Sequence, residues 1–296
     1  MSKKAKKKKG RGWLLGLSLL LFCMALSLFL YTLFSLLGYR REAEASDALN
    51  QKLLEQGTVE KTQAAVVSTP VPEVTETPAQ SQEPVGGAAE VPDATPFHEE
   101  VQAAEEEGAK VPLSVDFAAL QEDCPDIVGW LYCEDTPINC PVVQGEDNQR
   151  YLNRLADGTK NNNGCLFADY RSAGDFTDWN TVIYGHNMKS KAMFGSLDGY
   201  REQAYYDAHP QLYLLTPNKN YKLTVLYGFE TSVFSAVYTF PSDKAGRDEA
   251  LKLGAENSFF TTEEQAGEEE RIVTLSTCLN DREDHRFVLL CALREL

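Results

Sequence analysis

The sequence predicts a mainly β domain, a closed or nearly closed barrel of short strands with few helices, preceded by one membrane-crossing helix and a linker. Three features predict it. An uncharged apolar run lies near the N-terminus, a stretch rich in Pro, Thr and Glu follows, and after residue 111 come seven or eight short apolar segments separated by turn residues. A two-sheet sandwich is the structural alternative.

The apolar run covers residues 13–39, WLLGLSLLLFCMALSLFLYTLFSLLGY, 27 residues without a charge. A helix needs roughly 20 apolar residues to cross the hydrocarbon core of a bilayer. Trp13 and the Tyr31/Tyr39 end suit the interfacial zones. Residues 1–12 form a basic tail with seven Lys and Arg and no acid. The positive-inside rule therefore puts that tail in the cytoplasm and the rest of the chain outside the cell, against a weaker opposing pair, Arg40 and Arg41. A cleaved signal peptide is the rival reading. The run is too long for one, and no A-x-A pattern closes it.

Residues 40–110 read as an acidic Pro/Thr/Glu-rich linker, whose first part, 42–56, has the composition to extend the helix for a few turns. Residues 42–110 hold fifteen acids against three lysines, and few large apolar side chains. Such a segment buries too little area to offset its ordering entropy and reads as a stretched tether. Globular character resumes near Val111, and 111–296 reads as one domain. The formal charge is −16. An acidic body argues against nucleic acid as a partner, because phosphate contacts need clustered Lys and Arg.

Within the domain, VDFAALQEDC (115–124) reads as a short helix with Asp116 as a possible N-cap. IVGWLYC, CPVVQ, GCLFADY and NTVIYGH read as strands. MFGSL and GYREQAYYDAH look like helical turns. QLYLLTP and YKLTVLYGFETSV form two strands around the turn-like PNKN. AGRDEALKLGAENS (245–258) has helix-forming composition, and RIVTLSTC and RFVLLCAL are the last two strands, joined by LNDREDH.

Three residues at strand ends carry potential chemistry: His186 after an apolar strand, Cys278 after another, and Arg286 at the start of the last, eight residues beyond the cysteine. A thiol needs a base or an electropositive setting to act as a nucleophile. Histidine can take its proton and later protonate a leaving amine. Arginine stays charged and offers a fork of donors to an oxyanion. Together they suit acyl transfer through a thioester. Each also has a bland reading: a buried small hydrophobe for the cysteine, a hydrogen-bonded structural ring for the histidine, a surface charge for the arginine. Arg282 competes with Arg286 but lies in the polar loop. His285 reads as solvated, His209 as a turn residue, and His98 falls in the linker.

NTVIYGHNMKSKAMFGSL (180–197) and TLSTC (274–278) resemble the signatures of the sortases, most closely class B. IVGWLYCEDTPINCPVVQGEDNQRYLNR (127–154) and CLFADYR (165–171) resemble the same family, and the likeness spans roughly 115–293. The resemblance implies an eight-stranded sortase-type β-barrel and a membrane-anchored cysteine transpeptidase. Cys278 would attack the Thr carbonyl of a C-terminal sorting signal on a secreted protein, His186 would act as general acid/base, and Arg286 would hold the substrate and steady the tetrahedral intermediate. A peptidoglycan-precursor amine or a pilin lysine would resolve the thioacyl enzyme. The resemblance also implies substrate-groove positions at Asn148, Leu152 and Ser276, and the helix near 245–258 matches the class B elaboration. Leu279 departs from the family pattern, which often has an acid directly after the cysteine. A hydrolytic peptidase on the same scaffold and a non-enzymatic wall-binding domain are the alternatives.

Five further cysteines, Cys124, Cys133, Cys140, Cys165 and Cys291, read as buried thiols rather than disulfides. No C-x-x-C pair or His-Cys cluster points to zinc, and no acidic loop to calcium, so neither metal nor cofactor is expected.

Overall fold

The computed structural model describes residues 6–57, 113–279 and 281–296. The apolar run lies inside one continuous 52-residue helix, α1 (Lys6–Gly57). Its most apolar window has a mean hydropathy of 2.3, and α1 is long and apolar enough to cross a membrane.

The helical extension expected over 42–56 is present, and the linker expected from residue 40 does not start there. Residues 40–57 stay helical and dock on the domain, because Leu49, Leu53 and Leu54 recur on one helical face. Leu53 is fully buried among Phe117, Leu120 and Trp130. At the edges, Asn161 Nδ2 donates to Glu42 O at 2.8 Å, and Lys52 Nζ pairs with Asp123 at 2.8 Å. The Asp116 N–H then donates to Gly57 O at 2.8 Å, so the chain re-enters beside the point where α1 ends. The remainder of the expected linker, 58–110, lies outside the described residues, and so does His98.

The short helix α2 (Phe117–Asp123) starts where Asp116 caps it, its carboxylate accepting from Ala119 N. Eight strands follow: β1 (Ile127–Tyr132), β2 (Asn139–Val143), β3 (Leu166–Ala168), β4 (Asn180–Gly185), β5 (Gln211–Leu215), β6 (Asn220–Ser232), β7 (Arg271–Cys278) and β8 (His285–Glu295). They close into a barrel in the order β1-β2-β3-β4-β7-β8-β6-β5, which excludes the sandwich. Pairing is antiparallel except for β2/β3 and β4/β7, which are parallel. The 3-10 turn Phe194–Arg201 and α3 (Gln203–Ala208) fill the connection after β4, and α4 (Lys244–Asn257) the one before β7.

The strands read as near-continuous apolar runs because both faces of the wall are covered. Inward side chains such as Leu131, Ile183, Leu223, Leu275 and Leu289 fill the barrel. Outward ones split into two satellites: Trp130, Val143 and Phe167 beneath α1 and α2, and Phe229, Ile272 and Val288 beneath α4. At the C-terminal ends of β4 and β7, beyond the part of β7 that α4 covers, a cleft opens.

Candidate active site

The parallel register of β4 on β7 pairs Gly185 with Thr277, so the next residues, His186 and Cys278, leave adjacent strand ends side by side. Across β7, Cys278 is the direct antiparallel partner of Arg286. Three stretches far apart in sequence thus deliver their reactive groups to one edge of the barrel. Two side-chain bonds stitch that edge. Thr277 Oγ1 donates to Gly185 O at 2.8 Å just before the pair, and Asn187 Nδ2 donates to Cys278 O at 3.0 Å just after it. Glycine is required before the histidine, since a Cβ at 185 would come within 2.7 Å of the Phe194 ring and collide with Leu166.

A cleft of about 340 Å³ runs over this edge. His186, Cys278 and Arg286 line it, and so do Asn148, Leu152 and Ser276. The cleft thus brings together the three reactive side chains and the three groove positions that the family resemblance implied. Arg282 lies apart: it pairs with Glu230, which also binds Arg201. His285 pairs with Asp284 at 2.9 Å, and His209 closes α3, its ring bonded to Tyr205 O at 3.0 Å.

The immediate partners set what each group can do. His186 Nε2 lies 2.7 Å from Leu152 O. A carbonyl oxygen only accepts, so Nε2 carries a proton, and whenever the ring is neutral Nδ1 is its bare nitrogen. Arg286 Nη1 donates to Glu283 O and His285 O at 2.7 and 2.8 Å, which ties the guanidinium to its own turn. Its Nε and Nη2 take no partner among the described residues and remain for a ligand. Ser276 shares a 2.7 Å hydrogen bond with Tyr238 OH. Asn148 Nδ2 donates to Asp169 at 2.8 Å, and its Oδ1 accepts from Tyr170 N at 3.1 Å, so this side chain is a fixed wall.

Cys278 is exposed, whereas Cys124, Cys133, Cys140, Cys165 and Cys291 are buried and unpaired, as expected. Burial pushes those thiols up, Cys124 to about 11 and Cys140 to about 12, and leaves them inert. Leu279, the departure after the cysteine, turns inward and joins the barrel core. No group of His, Cys, Asp and Glu able to hold a metal occurs among the described residues.

The sequence reading missed Tyr184, Tyr238 and Arg171 in the cleft lining. Strand alternation carried the signal for Tyr184, two residues before His186 and on the same face of β4. Tyr238 comes from a 3-10 turn after β6 and stacks on Tyr184 with ring centroids 6.4 Å apart, a tertiary contact with no local signature. Burial pushes its phenol up to about 12, against the Ser276 hydrogen bond and the nearby Arg286 charge.

Comparison with known proteins defines the class. The family described as Sortase domain matches residues 131–294. Sortase B of Listeria monocytogenes is 34% identical over 165 residues, 55% of this chain and 67% of that protein. A Staphylococcus aureus sortase B–substrate complex superposes with a TM-score of 0.57 at 27% identity, over 61% of this chain and 85% of that one. A sortase B complexed with triglycine gives 0.56 at 28%, over 61% and 86%. A cysteine transpeptidase is therefore the class that barrel and cleft define. The chain belongs to the sortase family, and the relatives it resembles are of class B.

Proposed function

We propose that this protein is a single-pass membrane transpeptidase that cleaves the C-terminal sorting signal of secreted proteins and joins the acyl fragment to a cell-wall or pilin amine. The observation that carries the reading is the register itself, which sets Cys278 between the His186 strand end and Arg286 in one open cleft. The likeness to sortases solved with a substrate and with triglycine supports a peptide donor and an amine acceptor as the kinds of partner.

In the first half-reaction, His186 Nδ1 takes the Cys278 Sγ proton and the thiolate attacks the scissile Thr carbonyl. Arg286, with Nε and Nη2 unengaged, donates to the oxyanion of the tetrahedral intermediate. Collapse breaks the C–N bond, the imidazolium protonates the leaving amine, and a thioester remains on Cys278. In the second half-reaction, an acceptor amine loses a proton to His186 as it attacks the thioester. A new amide forms and the sulfur leaves, reprotonated. Asn148, Leu152 and Ser276 shape the groove for the sorting motif. The lysine-rich tail lies in the cytoplasm, residues 13–39 cross the membrane, and the barrel works outside the cell.

The test uses the full chain in detergent micelles, a panel of fluorescent sorting-motif peptides and triglycine. Wild type forms the triglycine adduct, and Cys278→Ala forms none. Iodoacetamide modifies Cys278 of the folded protein before the five buried thiols. Full transpeptidation by Cys278→Ala would end the proposal. Release of free acid with no adduct would replace transfer by hydrolysis.

A further inference from the structure

Behind the cleft wall, directly after β3, lies a carboxylate that the mechanism above does not use. Asp169 is fully buried. Its Oδ1 accepts from Arg171 Nε at 2.8 Å and Arg171 N at 3.0 Å. Its Oδ2 accepts from Arg171 Nη2 at 2.7 Å, Asn148 Nδ2 at 2.8 Å and Tyr184 OH at 2.9 Å. Burial pushes this carboxyl up, but the hydrogen bonds from Arg171, Asn148 and Tyr184 outweigh it and hold it below its usual value. It is an anion at neutral pH.

The chain of contacts from Asp169 ends on the imidazole. Asn148 is gripped at both atoms, by Asp169 and by the Tyr170 N–H. One residue earlier, Asp147 Oδ1 accepts from the Gln149 and Arg150 N–H groups at 2.8 Å each, which winds the 3-10 turn Arg150–Leu152. That turn presents Leu152 O to His186 Nε2. The segment is held upstream as well, where Gln144 Nε2 donates to Asp169 O at 2.9 Å and Ser172 O at 2.8 Å. The carbonyl that faces the ring sits on a turn held from one side by Asn148 on Asp169 and from the other by Tyr151, whose carbonyl accepts from Cys165 N at 3.2 Å and whose hydroxyl donates to Asp126.

We infer that Asp169 is a positioning residue for His186, holding Leu152 O in place through Asn148 and so keeping the imidazole in its Nε2–H tautomer with Nδ1 free. An acid-base ring oriented by a third group is a general device of nucleophilic catalysis. Here the orienting group is a backbone carbonyl, which no substitution removes, and the carboxylate stands one step further back. The catalytic meaning rests on the role proposed for His186, but the coupling does not.

The experiment labels the full chain with 15N-histidine in detergent micelles and reads the ring nitrogens by long-range 1H–15N correlation. The sequence has four histidines, so the spectrum is simple, and His186→Gln assigns the signal. Wild type shows a protonated Nε2 and a bare Nδ1 for neutral His186. Asp169→Asn converts this to a tautomer mixture and lowers kcat/KM roughly 10–100-fold, the scale of a small misplacement in a catalytic site. Asn148→Ala, which leaves the Asp169–Arg171 pair intact, gives the same mixture and carries the test if Asp169→Asn does not fold. The wild-type tautomer in both folded variants would overturn the inference, even with activity reduced. A changed tautomer with undiminished kcat/KM in Asp169→Asn would uphold the coupling and refute the acid-base role of His186.

Discussion

Leu53→Ala tests whether the N-terminal helix and the barrel are one body. Leu53 has no exposed surface and packs with Phe117, Leu120 and Trp130 between α1, α2 and the barrel wall. The substitution deletes three carbons and leaves a cavity that α1 closes only by shifting, and one turn further on the fit is already tight, since even a Cβ added at Gly57 would lie 3.1 Å from the Leu120 side chain. Buried Leu→Ala changes cost about 2–5 kcal/mol. At roughly 2–4 °C per kcal/mol for a domain of this size, Tm falls by about 4–20 °C when docking is coupled to the barrel. When the helix end instead undocks locally, Tm moves less, and amide protection disappears over residues 42–57. Differential scanning calorimetry and hydrogen exchange on the full chain in micelles separate these outcomes. The Lys52–Asp123 pair is half exposed on both sides, so solvent screens it and Lys52→Ala leaves both readouts at wild type. A Leu53→Ala protein with wild-type Tm and wild-type exchange over 42–57 would refute the docked helix. The consequence reaches the active site: a docked α1 fixes the orientation of the cleft relative to the apolar helix, which a tether starting at residue 40 would leave free.

Two further outcomes follow from the packing around the cleft. Gly185→Ala forces a methyl into the Phe194 ring, costs about 1–3 kcal/mol by overpacking, and displaces His186, so urea unfolding and peptide kcat/KM both drop. In acid, Asp169 contributes stability above its unfolded value near 3.8, and this is lost as pH falls through its depressed folded value. The Tm gap between wild type and Asp169→Asn is therefore widest near neutrality and narrows below pH 3.8. A gap independent of pH would show that the ionised carboxylate is not what stabilises the fold.

Much of the architecture was legible in order along the chain. The charge-free run of 27 residues, the Asp116 cap, all eight strands and α4 are local patterns of hydropathy, capping and turn chemistry, and each appears where those patterns put it. Cys278, His186 and Arg286 stood out because reactive side chains at the ends of apolar strands are few. Their meeting was not legible, because it depends on a parallel β4/β7 pairing between segments about ninety residues apart, and no local pattern specifies a partner strand. Tyr238 entered the cleft for the same kind of reason, from a turn far from the strand it stacks on.

What the sequence determined by itself is the list of parts: an apolar helix behind a basic tail, a polar stretch, short strands and three reactive groups, all set by interactions between near neighbours. What the tertiary structure alone decided is the closure of the barrel, the docking of residues 40–57, and the path from Asp169 through Asn148 to His186. Those features rest on hydrogen bonds and buried apolar contacts between residues distant in the chain. Such contacts exist only once folding has offset the entropy of bringing the segments together.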